Sequence, residues 1–372
     1  MTVVSGVRVV AGDRVIDNGF VRIEGSRIAE VGPSASGAVD ASAAVVVPGF
    51  VDIHVHGGGG ATFTTGDVEE ARTAARYHLG HGTTTMLASL VTSPPELMMS
   101  ATKAFAPLAA EGVIAGIHFE GPYLSQTRCG AQNPAHLRRP SLDELESLID
   151  AGEGAVRLVT IAPELPGALE AIKLLVARGV VAAIGHTDAT YEETLAGVAA
   201  GATVGTHVFN GMRPPHHRQP GPVFALLGAR EVICEFVADG VHLHDGTLAF
   251  ATTVTGPSRA ALITDAMAAA GMPDGSYDLG GQSVEVAAGV ARLTRDGSIA
   301  GSTLTMDKAF RRAVGAGLSL PAAAQMASAT PAAALGLSEE LGALRPGLRA
   351  DLVLLDDALT VQRVMRAGDW VA

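Results

Sequence analysis

The chain has 372 residues, 48% of them hydrophobic, with 45 glycines and 4% aromatics, enough for one large core built from Ala, Val and Leu. Its 38 acidic and 26 basic residues give a net charge of -12, which disfavours nucleic acid and anionic membrane surfaces as partners. An anionic ligand must then be met by a local cluster of cations. The two cysteines, Cys129 and Cys234, form no disulfide framework, the start MTVVSGVRVV does not read as a signal peptide, and no apolar run is long enough to span a bilayer. A cytoplasmic protein is expected.

Residues 1–47 alternate short β-rich pieces with Gly and Asp turns, a pattern of small antiparallel strands. The last stretch, 345–372, has the same character, so the two ends are expected to pair into one small β-sandwich domain. Between them, residues 48–344 repeat apolar strand, polar turn and amphipathic helix. Eight strands are predicted: VDIHVH (51–56), TTTMLAS (83–89), VIAGIHFEG (113–121), VRLVTIAPE (156–164), VVAAIGHTD (180–188), ATVGTHVFN (202–210), VICEFVADG (232–240) and AALITDAM (260–267). Stretches between them, such as DVEEARTAARYHLG and YEETLAGVAAG, place apolar residues every three to four positions and end in Gly, a helix C-cap signal. Eight alternating units point to an α/β fold of the (β/α)8 barrel type rather than a doubly wound sheet. The GGGG at 57–60 lacks G-x-G-x-x-G spacing and reads as a flexible loop. The segment 275–303 has β-hairpin signals and is expected to insert over the barrel mouth, where long loops carry function.

In such a barrel, polar residues at the C-terminal ends of the strands converge on one site. The strand ends carry His54 and His56 on the first strand, Glu120 on the third, His186 on the fifth, His207 on the sixth and Asp265 on the eighth. All are metal-ligand types, and His54 and His56, two residues apart, face the same way along a strand. His78, His81, His118 and His136 are read as ordinary structural histidines. Amide hydrolysis at neutral pH needs an activated nucleophile, and a bound divalent ion lowers the pKa of its water from about 16 to about 7. Asp265 is the candidate to accept that proton and pass it to the departing amine. His242, in ADGVH after the seventh strand, is placed to stabilise the oxyanion.

PGFVDIHVHG, HFEGPYL, IGHTDA, GTHVFNGM, ADGVH, LITDAM and AGSTLTM, in this order, resemble the amidohydrolase superfamily and, within it, the N-acetylglucosamine-6-phosphate deacetylase family. The resemblance covers nearly the whole chain. It implies metal-dependent hydrolysis of the acetamide of an amino-sugar phosphate, in amino-sugar catabolism and recycling. It also implies a divalent ion, zinc or iron, on Glu120, His186 and His207, with a second on His54, His56, Glu120 and Asp265. Superfamily members often bridge two ions with a carboxylated lysine; the lysines here, Lys103, Lys173 and Lys308, stand at no predicted strand end, so Glu120 takes that role. For the substrate, the resemblance implies contacts from Ala131, Gln132, Asn210, Gly211, His217, Arg218, His242, Ile299, Ala300 and Gly301. Arg218 resembles an arginine that grips phosphate across a homodimer interface. Two positions depart from the family: Gly211 replaces an alanine, and Gln132 replaces a histidine, so that a sugar-hydroxyl contact is altered or lost. Another hydrolase on the same scaffold, releasing ammonia or another acid, stays open, as does a barrel that has lost catalysis. The complete ligand set speaks against the last.

Overall fold

The computed structural model describes residues 1–33 and 44–371; residues 34–43, within the expected N-terminal β segment, and Ala372 lie outside the described residues. Strands β1 (Thr2–Ala11), β2 (Arg14–Glu24) and β3 (Arg27–Pro33) form an antiparallel meander. β4 (Val45–Pro48) runs parallel to β1 on one side and antiparallel to β18 (Leu352–Leu355) on the other. β18 continues into β19 (Val361–Arg366) and β20 (Asp369–Trp370), so both ends of the chain share one mixed seven-stranded sheet. Its face buries Val4, Val9, Ile23, Ile28, Leu352 and Met365, and irregularities in β1 between Ser5 and Val9 bring Val4 and Val9 to the same side.

The eight predicted barrel strands all form, as β5 (Phe50–Asp52), β8 (Thr83–Val91), β9 (Gly116–Glu120), β10 (Val156–Ile161), β11 (Val181–Ile184), β12 (Val204–Gly205), β13 (Ile233–Val237) and β14 (Ala260–Ile263). They are parallel and neighbours in chain order, β5 to β14. The seam between the two outer strands closes just beyond their ends, where Asp265 N donates to His54 O at 2.9 Å and His56 N to Ala266 O at 2.7 Å. Thr264 Oγ1 ties across the same seam to Asp52 Oδ2 at 2.5 Å.

Helices α1 (Val68–Gly80), α2 (Pro95–Ala110), α3 (Leu142–Ala151), α4 (Ala168–Ala177), α5 (Tyr191–Ala199), α6 (Gly221–Gly228), α7 (Asp245–Thr255) and α8 (Met306–Gly315) alternate with the strands. α1 shows why the sequence forms them. Asp67 caps its first turn by accepting from Glu69 N and Glu70 N, and Ala71, Ala74, Ala75 and His78 make one buried face. The insertion folds as a three-stranded antiparallel sheet, β15 (Gly275–Leu279), β16 (Gln282–Ala287) and β17 (Val290–Leu293), with a core of its own that includes Leu279, Val284, Val286, Leu293 and Ala300.

Two local expectations change. The predicted strand 51–56 stops as a ladder at Asp52, because the next amides are taken by side chains: His54 N donates to Asp52 Oδ1 and Val55 N to Ser89 Oγ. The glycine run is not a flexible loop but a tight ribbon, β6 (Gly57–Gly58) against β7 (Ala61–Thr62). Glycine is required there by close approach: a Cβ on Gly57 would lie 2.3 Å from Ala61 O.

Candidate active site

The six expected metal-ligand residues meet at the C-terminal rim of the barrel. Glu120 is the last residue of β9, and His54, His186, His207 and Asp265 each stand two residues past the end of β5, β11, β12 and β14. His186, His207 and Asp265 hold left-handed backbone angles, φ 45°, 24° and 50°. Such conformations cost about 1–3 kcal/mol each for residues with a Cβ and persist where the surroundings enforce them. Here they coincide with three of the donors.

Glu120 lies between two sets of imidazoles. Its Oε1 is 2.8 Å from His186 Nε2 and 2.9 Å from His207 Nε2, while Oε2 is 3.2 Å from His56 Nε2. Asp265 Oδ1 stands 3.2 Å from His56 Nε2 and 3.6 Å from His54 Nε2. The donors of His54, Glu120 and His207 lie within 4.8 Å of one another, as do those of His54, His56 and Asp265. Four ligands on a tetrahedral zinc are separated by about 3.4 Å, so these spacings suit ligands drawn slightly together.

The donor chemistry fits a divalent cation. Three of the rings turn Nδ1 outward to an acceptor: His186 to Arg128 O at 2.8 Å, His56 to Ser89 O at 3.1 Å and His54 to Glu235 Oε2 at 3.1 Å. With Nδ1 donating, the Nε2 lone pair faces the cluster, which is the tautomer a metal needs. Burial disfavours the charged forms of His56, Asp265 and Glu120, yet attraction between carboxylates and imidazoles wins. His56 is raised to about 9 by its bonds to Asp265 and Glu120, and Asp265 is lowered to about 2 by its bond to His56 and the charges of His54 and His56. Glu120 is held well below the usual carboxylate range by the charges of His54 and His186 and the bonds from His186 and His207. The pocket is built to hold positive charge, which one or two divalent ions would supply.

His242 extends this site. Its Nδ1 bonds Asp239 Oδ2 at 2.7 Å, leaving Nε2 3.8 Å from Asp265 Oδ2. Burial opposes protonation of His242, but the Asp239 bond and the Asp265 charge raise its pKa. A cavity of about 260 Å³ opens over the donors, lined in part by Ala131, Gln132, Asn210, Gly211, Ile299 and Gly301. Gly211 has φ 59°, and a Cβ there would stand 2.7 Å from His186 Nδ1, so this departure from alanine fits a close approach. The other expected contacts fall elsewhere. Ala300 is buried in the core of the insertion, and His217 and Arg218 sit on an exposed turn, where Arg218 Nη1 donates to His217 Nε2 at 2.8 Å. Arg218 borders a separate cavity with Thr190, Glu192 and Arg213.

Several residues take positioning roles that the sequence reading did not assign to them. The Gln132 amide is not free for a sugar: its Nε2 donates to Glu120 Oε2 at 2.5 Å, and its Oε1 accepts from Thr92 N at 2.7 Å. Asp52 accepts from His54 N and Thr264 Oγ1, and burial lifts its pKa to about 7 against the pull of those bonds. Glu235 lies behind His54, and Asp239 behind His242. Asp52, Glu235 and Asp239 had visible signals. Asp52, His54 and His56 share one strand face, Glu235 interrupts an apolar strand, and Asp239 precedes His242 by three residues. Among the structural histidines, His118 is in the barrel interior, bonded to Ser89 Oγ and Thr160 Oγ1 and edge-on to His54.

A parallel barrel with imidazoles and carboxylates gathered at this rim defines a metal-dependent hydrolase. The chain belongs to the amidohydrolase family, whose family model matches residues 45–371. It is 36% identical over 366 residues to the N-acetylgalactosamine-6-phosphate deacetylase of Escherichia coli O157:H7, covering 97% of both chains. It is 37% identical over 379 residues to the N-acetylglucosamine-6-phosphate deacetylase of Homo sapiens, covering 97% of this chain and 90% of that one. Its fold superposes with a TM-score of 0.96 and 47% identity on a mutant N-acetyl-D-glucosamine-6-phosphate deacetylase from Mycobacterium smegmatis in complex with N-acetyl-D-glucosamine-6-phosphate, covering 99% of this chain and 98% of that one.

Proposed function

We infer that this protein hydrolyses the acetamide of N-acetylglucosamine 6-phosphate to glucosamine 6-phosphate and acetate. The observation that carries this reading is the position of Glu120 between His186 and His207 on one side and His56 on the other, with Asp265 facing His56. Glu120, His186 and His207 would hold one divalent ion, zinc or iron, and His54, His56, Glu120 and Asp265 a second. An ion on these residues would supply Lewis acidity, polarising the amide carbonyl and making water acidic enough to attack near neutral pH. Asp265 takes the proton from the attacking water and gives it to the nitrogen as the carbon–nitrogen bond breaks, so the amine leaves neutral. His242, fixed by Asp239, donates Nε2–H to the carbonyl oxygen as charge gathers on it. Asn210, Gly211, Ile299 and Gly301 enclose the sugar.

The same reading divides the chain into a small β domain (1–47 with 345–372) and a catalytic barrel (48–344). It makes the protein a homodimer in which Arg218 reaches the neighbouring subunit's site, since in its own chain that side chain lies on an exposed turn away from the donors. Among the described residues no helix is long and apolar enough to cross a membrane, and both cysteines are free, which suits a cytoplasmic enzyme. The test is acetate release from N-acetylglucosamine 6-phosphate, from its galacto epimer and from unphosphorylated N-acetylglucosamine, before and after chelation. Chelator-sensitive release with the gluco phosphate preferred is expected; ammonia release, or release indifferent to the phosphate, would overturn the reading.

A further inference from the structure

Glu235 is fully buried in the middle of β13, inside the barrel, and the mechanism gives it no task. Its Oε2 accepts from His54 Nδ1 at 3.1 Å and from the backbone N of His207 at 3.2 Å, while its Oε1 has no partner. A carboxylate in such a place is costly unless a positive charge faces it. Among the described residues no Lys or Arg pairs with it, and its ion-pair partner is the His54 ring.

The histidines of the site are not supported alike. His56 and His186 lean on backbone carbonyls, and His207 Nδ1 is buried without a partner. His54 has a carboxylate behind it. With Nδ1–H given to Glu235, the His54 Nε2 lone pair faces His56 Nε2 at 3.1 Å, Glu120 Oε1 at 3.5 Å and Asp265 Oδ1 at 3.6 Å. Lone pairs and carboxylates crowd together there, an arrangement that suits a cation among them. A carboxylate hydrogen-bonded behind a metal histidine fixes its ring and makes it a stronger donor.

We propose that Glu235, acting through His54, is the positioning residue that sets the affinity of the ion held by His54, His56 and Asp265, and leaves the Glu120–His186–His207 ion nearly untouched. This rests on the two-ion reading above, but its test does not depend on deacetylation. The holoenzyme is stripped with a chelator and reloaded with Zn²⁺ under competition, bound metal is counted by mass spectrometry, and Co²⁺ loading is followed by visible absorption. Wild type is expected to take two ions. E235Q, which keeps an acceptor of the same shape but not the charge, is expected to hold the first ion as tightly and the second about 10- to 100-fold more weakly. In a His54→Gln background, adding E235Q is expected to change nothing further. Equal weakening of both ions, unchanged binding of both, a further loss in the His54→Gln background, or a single ion in wild type would each overturn the proposal. If E235Q does not fold, Glu235→Asp, which withdraws the charge from Nδ1, is held to the same pattern. Two ions bound without acetate release would defeat the deacetylase reading and leave this one standing.

Discussion

The barrel rim and the turn around Arg218 both gather charged side chains, and they are built differently. At the rim, His54, His56, Glu120, His186, His207 and Asp265 are buried, and a hydrogen bond behind the ring fixes the orientation of His54, His56 and His186. At the turn, His216, His217 and Arg218 are exposed and bond chiefly to one another. Chemistry at an amide demands fixed geometry, so it is placed on strand ends that the closed sheet cannot move independently. Gripping a phosphate demands charge and reach, which a loop supplies.

If the rim carries the chemistry, the largest losses belong there. Asp265→Asn keeps the shape but cannot take a proton, and turnover of N-acetylglucosamine 6-phosphate is expected to fall by about 10²- to 10⁴-fold. Acetate release at saturating substrate checks this, and a variant within tenfold of wild type would remove Asp265 from the proton path. His242→Gln is expected to lower kcat by about 10²- to 10³-fold with little change in KM, because its bond strengthens only as charge develops on the carbonyl oxygen. A rise in KM at constant kcat would instead make His242 a ground-state binding residue.

The same division explains what the sequence disclosed. All eight strands and the six donor positions were legible, because strand periodicity and the chemistry of His, Asp and Glu at strand ends are local signals that the barrel brings into register. Less visible were residues whose meaning depends on what lies behind them. Glu235 reads as an oddity in VICEFV until β13 is seen to face His54. Gln132 reads as an altered or lost sugar contact until its amide is found on Glu120. The glycines at 57–60 read as slack, since the crowding that requires Gly57, Gly58 and Gly59 comes from Ala61 O, Tyr77 and His78, a property of packing rather than of composition. Asp52 shares the alternation that exposed His54 and His56, and its task of tying the seam at Thr264 appears only once the barrel closes.

The turn should fail more gently, and in a different parameter. Arg218→Ala is expected to raise KM for the phosphorylated substrate by about 10- to 100-fold, the worth of a charge-assisted bond of about 1.5–3 kcal/mol. Activity on unphosphorylated N-acetylglucosamine should hardly change, and an exposed position predicts a stability shift within about 0.5 kcal/mol by thermal unfolding. Loss of stability equal to the loss of binding would assign Arg218 to the fold. Whether the arginine serves its own site or its neighbour's is decided by mixing. Arg218→Ala chains have an intact rim, and Asp265→Asn chains have an intact turn. If the arginine crosses a dimer interface, co-refolded mixtures place a good arginine over a good rim at one site of each heterodimer. Activity at low substrate should then recover to about a quarter of the wild-type sites, the share that random pairing in a two-fold dimer allows. If each arginine serves its own rim, no pairing assembles a complete site, and the mixture stays as slow as the average of its parts.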